Sequence, residues 1–167
     1  MRYNPEVHRR RSIRLKNYDY SAKALFFVTI CVQDRKCIFG KIVHGKMCLN
    51  AVGRMIEEEW LKLQERFPNI LMHNFVVMPN HFHAILEIVS STDKTLGDII
   101  KAFKSITTVR YIQGVKKYGW PRYRKRLWQR NYWEYIIRNE RIYHKISDYI
   151  DRNPQKWYDD RFFPNPP

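Results

Sequence analysis

The 167-residue sequence has few cysteines and no long apolar run, and both absences limit what the protein can be. The three cysteines, Cys31, Cys37 and Cys48, are odd in number and form no CxxC pair. This pattern argues against a disulfide framework and a structural zinc site, and it favours a reducing, cytoplasmic compartment. The longest apolar run, Ala24 to Val32, is too short to cross a bilayer, and the N-terminal segment lacks the apolar core of a secretory signal. We therefore expect no segment that spans a membrane.

Acidic residues are scarce as well. Asp and Glu total 16 against 31 Lys and Arg, which gives a formal net charge of +15. A surplus of this size favours a polyanionic partner, either DNA, RNA or an anionic membrane surface, and charge alone does not choose among them. Apolar residues make up 44% of the chain, so we expect one domain with a hydrophobic core.

Three segments differ in composition. Residues 1–20 are polar and basic, with RRRSIR at Arg9 to Arg14, and predict an N-terminal arm. Residues 21–157 carry the apolar patterns of a folded domain, without an internal repeat. Residues 158–167 include the sequence FFPNPP, which predicts a proline-rich tail that cannot continue a helix.

Apolar stretches rich in aromatic and β-branched residues predict strands, and stretches with helical apolar spacing predict helices. The predicted strands span 24–33, 70–78, 81–89 and 127–137, and the predicted helices span 51–67, 96–114 and a third segment from Asn139 that Pro154 ends. A hairpin is predicted around Gly45, and a basic, aromatic loop over 115–126. The order β-α-β-β-α-β plus one helix predicts an α+β, ferredoxin-like antiparallel sheet, with helices on one face and an added C-terminal helix.

The sequence VVMPNHFHAIL places His81 and His83 one residue apart on a predicted central strand. Because side chains alternate along a strand, both imidazoles point to the same face and could bind one metal ion. The strand follows a turn, where solvent could reach such an ion. The alternative is that these are hydrogen-bonded or exposed strand histidines, since an HxH motif of three residues has little specificity.

Tyr149 and Asn153 lie four residues apart, and therefore on one face of the third predicted helix. Asn153 could complete a metal site begun by the histidines, or it could only cap the helix. Tyr149 could act as a nucleophile if a nearby cation assists it, because an ordinary tyrosine hydroxyl has a pKa of about 10. Tyr143 and Tyr135 are competing candidates, and a tyrosine on an apolar helix stripe often belongs to the core.

Six blocks of sequence follow one another along the chain: RSIRLKNYDYSAKALFFVTICVQDRKCIFG, LNAVGRMIEEEW, MPNHFHAIL, LGDIIKAFKSITT, LWQRNYWEYIIRN and DYIDRNPQKW. In this order they resemble the REP-associated tyrosine transposases, which are single-tyrosine HUH transposases of the IS200-like type. The resemblance runs from about Arg9 to Trp157 and is far more specific than an HxH motif alone. It implies a ferredoxin-like fold, in agreement with the predicted order of strands and helices.

The resemblance also implies roles for four residues. His81 and His83 match the HUH pair that binds a divalent metal, and Tyr149 matches the nucleophile. Asn153 matches the third metal ligand, which is glutamine in the broader transposase group. The implied metal is Mg²⁺ or Mn²⁺, although imidazoles would also accept Zn²⁺. The implied reaction is an attack of tyrosine on single-stranded DNA beside a hairpin, which gives a 5′-phosphotyrosine and a free 3′-hydroxyl.

Two basic segments are candidates for DNA binding, because phosphates attract Lys and Arg and unstacked bases stack on aromatic rings. The candidate residues are Arg9, Arg10, Arg11, Arg14, Lys116, Lys117, Arg122, Arg124, Lys125, Arg126 and Arg130. The first group runs from Arg9 to Arg14 and the second group from Lys116 to Arg130. Tyr118, Trp120 and Tyr123 are interleaved with the second group, whereas Trp128 and Trp133 are expected to be packed in the core. The alternative is a solvated basic surface whose aromatic residues lie partly in the core.

The resemblance implies REP-like palindromic hairpins as partners, a location at the bacterial nucleoid, and either a homodimer or a single chain. The residues themselves are also compatible with three other functions. One is a non-catalytic, domesticated protein that binds hairpin DNA or RNA, because a ferredoxin-like sheet with aromatic residues also describes RNA-recognition modules. Another is a metal-dependent hydrolase that uses water in place of Tyr149. The third is a decayed transposase that now serves its host.

Overall fold

The four strands of one sheet and three helices of 11, 23 and 13 residues form the framework of the protein, which we describe from a computed structural model over residues 14–164. The strands are β1 (Ala24–Cys31), β2 (Gly40–Val43), β3 (Lys46–Leu49), β4 (Ile70–Val77), β5 (His81–Ile88) and β6 (Trp133–Ile137). The helices are α1 (Ala51–Leu61), α2 (Leu63–Arg66), α3 (Leu96–Tyr118) and α4 (Glu140–Arg152), with short 3₁₀ turns at Gln33–Arg35 and Pro154–Asp159.

The main sheet has the strand order β4-β5-β1-β6, and all of its neighbouring strands are antiparallel. Strands β1 and β5 are therefore internal, and β6 is an edge strand. The predicted hairpin around Gly45 is confirmed as the two-stranded β2–β3 ribbon. Together with α1 and α3, this arrangement confirms the ferredoxin-like βαββαβ fold.

The two faces of the sheet carry separate clusters of buried side chains. Phe26, Val28 and Ile30 of β1 point into the main core beneath α1 and α3. The other face is covered by α4, where Ile150 packs with Ile85 and Ile137 in a smaller cluster. Because strand side chains alternate, every second residue of β5 faces α4, and this includes both histidines.

The predicted starts of the helices are confirmed by their N-caps. The side chain of Asn50 accepts a hydrogen bond from the backbone N–H of Gly53, and that of Asn139 accepts one from Ile142. Such caps satisfy backbone N–H groups that the first helical turn leaves free. The helix predicted over 51–67 is divided at Lys62 into α1 and the short α2.

Helix α3 is longer than predicted. Gly114 does not end the helix. It is a glycine because the ring of Trp120 packs directly against it, and a Cβ atom at this position would lie 2.2 Å from Cε3 of Trp120. The helix ends instead at Gly119, whose φ of 68° is the left-handed conformation that favours glycine. Lys116 and Lys117 therefore lie on the last turn of α3, not in a loop.

The fourth main strand is shorter than predicted, because residues 127–132 make only one isolated bridge, between Val32 and Trp128. Leu127 and Trp128 are buried without forming a ladder. The ammonium group of Lys104 donates hydrogen bonds to the carbonyls of residues 129 to 131, at 2.9, 3.4 and 3.2 Å. This side chain satisfies carbonyls that a strand would have paired with a neighbour.

The ends of the described chain pack on the domain. Tyr20 belongs to the main core, and Arg14 donates a hydrogen bond of 2.7 Å to the hydroxyl of Tyr132. Phe162 is buried against the sheet. Arg9, Arg10 and Arg11 lie outside the described residues, and the boundaries at residues 20 and 157 stay predictions.

Among residues 14–164, none of the helices has the length and apolar character that crossing a bilayer requires.

Candidate functional site

Strand β5 places His81 and His83 side by side on the sheet face that α4 covers. Their ring centroids are 4.6 Å apart, and the two residues are 0% and 1% exposed. The alternative that these are exposed strand histidines is therefore wrong. The rings of Trp157 and Phe162, from the segment after α4, lie 6.0 and 4.6 Å from the ring of His81 and cover it.

One nitrogen of each histidine lies within hydrogen-bonding distance of a neighbouring side chain. Nδ1 of His81 lies 2.9 Å from the side-chain oxygen of Asn80. The amide nitrogen of Asn80 donates to the carbonyls of Arg35 and Phe162, so its oxygen faces the ring. Nδ1 of His81 therefore carries the proton, and Nε2 offers a lone pair. The second ring is held similarly, because Nδ1 of His83 lies 2.8 Å from Oγ1 of Thr29, its partner across the β1–β5 ladder.

Helix α4 brings Tyr149 and Asn153 to the same place. The hydroxyl of Tyr149 lies 3.3 Å from Nε2 of His83, and the residue is 42% exposed. The competing tyrosines lie elsewhere: Tyr143 is within hydrogen-bonding distance of His73, and Tyr135 is exposed on the edge strand β6. Among the three candidates, only Tyr149 contacts the histidine pair.

Two buried atoms of the site lack a hydrogen bond. Within residues 14–164, Nε2 of His81 and Oδ1 of Asn153 make no hydrogen bond of good geometry, although both are inaccessible to solvent. The two side chains are nevertheless close enough for Asn153 to influence the ring electrostatically. Buried polar atoms of this kind are rare, because leaving one unpaired costs about 1–3 kcal/mol. Both atoms are ligand types that a divalent metal accepts, so the residues present fit such an ion.

The electrostatics of the site keep the imidazoles neutral and the phenol protonated. Burial lowers the pKa of His81 to about 3, with a smaller contribution from Arg161 and Arg35, while the amide of Asn153 opposes the shift. Burial also lowers the pKa of His83, and neighbouring His81 adds to this. Neutral imidazole is the form that binds a metal. Burial raises the pKa of the Tyr149 hydroxyl, and nearby Asp160 raises it further.

Asp160 is a residue of the site that the sequence did not predict. Its carboxylate and the ring nitrogens of His81 and His83 supply ligand atoms that all lie within 4.8 Å of one another. It follows the 3₁₀ turn Pro154–Asp159, in a stretch predicted to be the start of a tail. No periodicity marks such a residue, so only the folded chain identifies it.

The predicted basic residues of the second group are all exposed. They are Lys116, Lys117, Arg122, Arg124, Lys125, Arg126 and Arg130. Of the interleaved aromatic residues only Tyr118 is exposed, whereas the rings of Trp120 and Tyr123 pack against Tyr111. The structure thus agrees with an exposed basic surface whose aromatic residues lie mainly in the core.

Exposed aromatic rings occur instead on strand β6. Trp133, expected to be packed, is 57% exposed, and Tyr135 is also exposed. Trp133 pairs with Thr29, and Thr29 pairs with His83, so the three residues form one row across the sheet. Trp128 is buried, as predicted. The alternation of side chains along WEYII predicts that Trp133 lies on the same sheet face as Ile137. It does not predict that the Trp133 ring is exposed to solvent.

Fold and site together define a ferredoxin-like domain in which a buried histidine pair faces a tyrosine on the C-terminal helix. The family described as IS200-like transposases matches residues 25–153, which include all of these groups. The chain belongs to this family.

Individual relatives agree with this assignment. An uncharacterised protein of Haemophilus influenzae is 35% identical over 97% of each chain. A second H. influenzae protein, named as a candidate REP-associated tyrosine transposase, is 24% identical over 85% of this chain and 77% of its own.

Two solved structures share the fold. A REP-associated tyrosine transposase bound to a REP hairpin matches with a TM-score of 0.63 and 21% identity, over 86% of this chain and 74% of that one. A candidate transposase from Deinococcus radiodurans matches with a TM-score of 0.50 and 17% identity, over 84% of this chain and 96% of that one. At these identities the likeness concerns the fold.

Proposed function

We propose that the protein cuts and transfers single-stranded DNA through a covalent bond to Tyr149. The observation that carries this proposal is the 3.3 Å distance between the Tyr149 hydroxyl and Nε2 of His83, beside two unpartnered buried ligand atoms. A tyrosine held against a potential metal site fits nucleophilic attack on a phosphodiester. Membership of a transposase family supports the same chemistry.

The proposed cofactor is Mg²⁺ or Mn²⁺, held by His81, His83 and Asn153. When bound, such an ion polarises a phosphate oxygen and stabilises the charge that develops in the transition state. Thr29 and Asn80 contact Nδ1 of the two imidazoles, so Nε2 of each ring would be the atom that holds such an ion. The raised pKa of Tyr149 means that its hydroxyl is protonated at rest and that its reactivity depends on this environment.

In the proposed step, the hydroxyl oxygen of Tyr149 attacks the scissile phosphorus and forms a phosphotyrosine ester. The bond from phosphorus to the 3′-oxygen breaks, and this oxygen leaves with a proton as a free 3′-hydroxyl. The phenol gives up its own proton, so the reaction consumes no water and needs no oxidant. Since the ester retains the energy of the phosphodiester, a second 3′-hydroxyl can reverse the step and join a different strand.

The proposed substrate is a DNA hairpin with a single-stranded flank. The exposed basic residues of the second group would hold phosphates, and Arg14 is a further candidate. Trp133 and Tyr135 offer rings on which unpaired bases could stack beside the site. One structural relative is bound to a REP hairpin, which supports palindromic DNA of this kind as the substrate class.

Incubation of the protein with hairpin DNA labelled at its 3′ end, in Mn²⁺ or Mg²⁺, tests the proposal. We expect a protein–DNA adduct that resists denaturation and carries the fragment 3′ to the cut. Tyr149→Phe should abolish the adduct and retain DNA binding, whereas Tyr143→Phe, a matched change on the same helix, should leave the adduct intact.

Two other outcomes would identify the rival functions. Binding without any adduct in either metal would indicate a non-catalytic, domesticated DNA- or RNA-binding protein. Cleavage that survives Tyr149→Phe but requires His81 would indicate a hydrolase that uses water.

A further inference from the structure

We propose that Asp160 is a fourth ligand of the metal ion, in addition to His81, His83 and Asn153. The inference rests on the proposed function, because it concerns the same ion. Asp160 lies beyond the family match, which ends at residue 153, so membership of the family does not assign it a role.

The spacing of the ligand atoms supports this assignment. A carboxylate oxygen of Asp160 and a nitrogen from each histidine lie within 4.8 Å of one another. Two ligands that each lie at about 2.1 Å from an Mg²⁺ ion are at most about 4.2 Å apart. Adjacent ligands of an octahedral ion are about 3 Å apart, so side-chain movements of about 1 Å would bring all three atoms onto one ion. Nε2 of His81 has no hydrogen bond to lose in this movement.

The backbone around Asp160 holds the carboxylate in position. Its N–H donates to the carbonyl of Trp157 at 3.1 Å, and its own carbonyl accepts from the N–H of Phe163 at 2.9 Å. One carboxylate oxygen accepts a hydrogen bond of 2.7 Å from the N–H of Phe162. A carboxylate has about four acceptor positions, so this contact leaves capacity for a metal.

The charge balance of the site also favours a carboxylate ligand. His81, His83 and Asn153 are neutral, and the guanidinium groups of Arg35 and Arg161 stack on Phe162 next to the site, 5.6 and 4.6 Å from its ring. A divalent ion with only neutral ligands would face these cations without compensation. Mg²⁺ and Mn²⁺ prefer carboxylate oxygen, and Asp160 supplies the one negative charge of the proposed set.

Titration of the metal-free, full-length protein with Mn²⁺ tests the inference, with free Mn²⁺ measured by electron paramagnetic resonance. We expect Asp160→Asn to weaken binding by at least about tenfold, because losing even a residue that only contacts a ligand costs about tenfold to a hundredfold. Its amide oxygen can still accept from Phe162, so the turn should persist, and Asp160→Glu should bind more tightly than Asp160→Asn because it keeps the charge. Asp159→Asn, at the exposed neighbouring position, should bind as the parent does.

The controls separate this inference from the proposed function. If Asp160→Asn binds Mn²⁺ like the parent while His81→Ala does not, Asp160 only stabilises its turn and the inference is wrong, but the metal site stands. If His81→Ala also binds like the parent, the proposed metal site fails, and the inference fails with it.

Discussion

The side-chain oxygen of Thr29 on β1 lies 2.8 Å from Nδ1 of His83 on β5, and both residues are buried. The two are partners across the antiparallel ladder, so the sheet register itself creates this contact. Neighbours of this kind hold a metal-binding imidazole in one orientation.

This contact gives the first prediction. Thr29→Val keeps the shape of the side chain but removes the hydroxyl, and we expect Mn²⁺ affinity to fall by about tenfold to a hundredfold. Isothermal titration calorimetry measures the change. Thr108→Val, which removes a hydroxyl bonded to the carbonyl of Lys104 on α3, is the control and should not alter affinity. Equal affinity in both variants would mean that Thr29 does not orient the site.

The buried histidines should make the metal-free protein unstable in mild acid. Burial lowers the pKa of His81 to about 3 and also lowers that of His83. Near pH 6.5 the unfolded chain therefore begins to bind protons that the folded protein excludes. The free energy of unfolding should fall as the pH decreases below 6.5, with a limiting slope of about 1.4 kcal/mol per pH unit for each histidine.

Urea unfolding between pH 7 and pH 5, with chelator present, measures this slope. His81→Gln should reduce it, because one of the two groups no longer titrates. His144→Gln, at an exposed position on α4, is the control and should have the slope of the parent. A parent protein equally stable throughout this range would contradict the burial argument.

The exposed ring of Trp133 should contribute to binding of single-stranded DNA. A base that stacks on an aromatic side chain contributes about 1–3 kcal/mol. We expect Trp133→Ala to weaken binding of the single-stranded flank by this amount, and Trp133→Phe to retain most of it because a ring is still present. Fluorescence anisotropy with a labelled oligonucleotide provides the measurement. Unchanged affinity in the alanine variant would exclude this platform.

The basic surface makes a prediction about salt. Each phosphate contact releases counterions, so the loss of one contact should reduce the salt dependence of the binding constant by about one unit in a log–log plot. We expect this of Arg122→Ala, whatever the DNA sequence. Lys62→Ala removes a lysine that is already paired with Glu58, and it should leave the slope unchanged. If both variants keep the slope of the parent, Arg122 contacts no phosphate.

Much of the fold followed from local pattern. Asn50 and Asn139 cap helices that begin where the sequence predicted them to begin, and a cap depends on only a few consecutive residues. The lengths of the strands and helices were less predictable than their starting points. The segment 127–132 has the composition of a strand, but the ammonium of Lys104 on another element binds its carbonyls. Gly114 resembles a helix end, yet it is the contact point for Trp120.

Some features of the candidate site also followed from the sequence, and others required the folded structure. The sequence by itself determined that His81 and His83 share a strand face and that Tyr149 and Asn153 share a helix face, because these relations follow from the periods of strand and helix. Only the tertiary structure decided that the two faces meet, that Tyr149 and not Tyr143 or Tyr135 contacts the histidines, and that Asp160 joins them. Such contacts depend on how separate elements pack, and no local period encodes the distance between residues that are far apart in the chain.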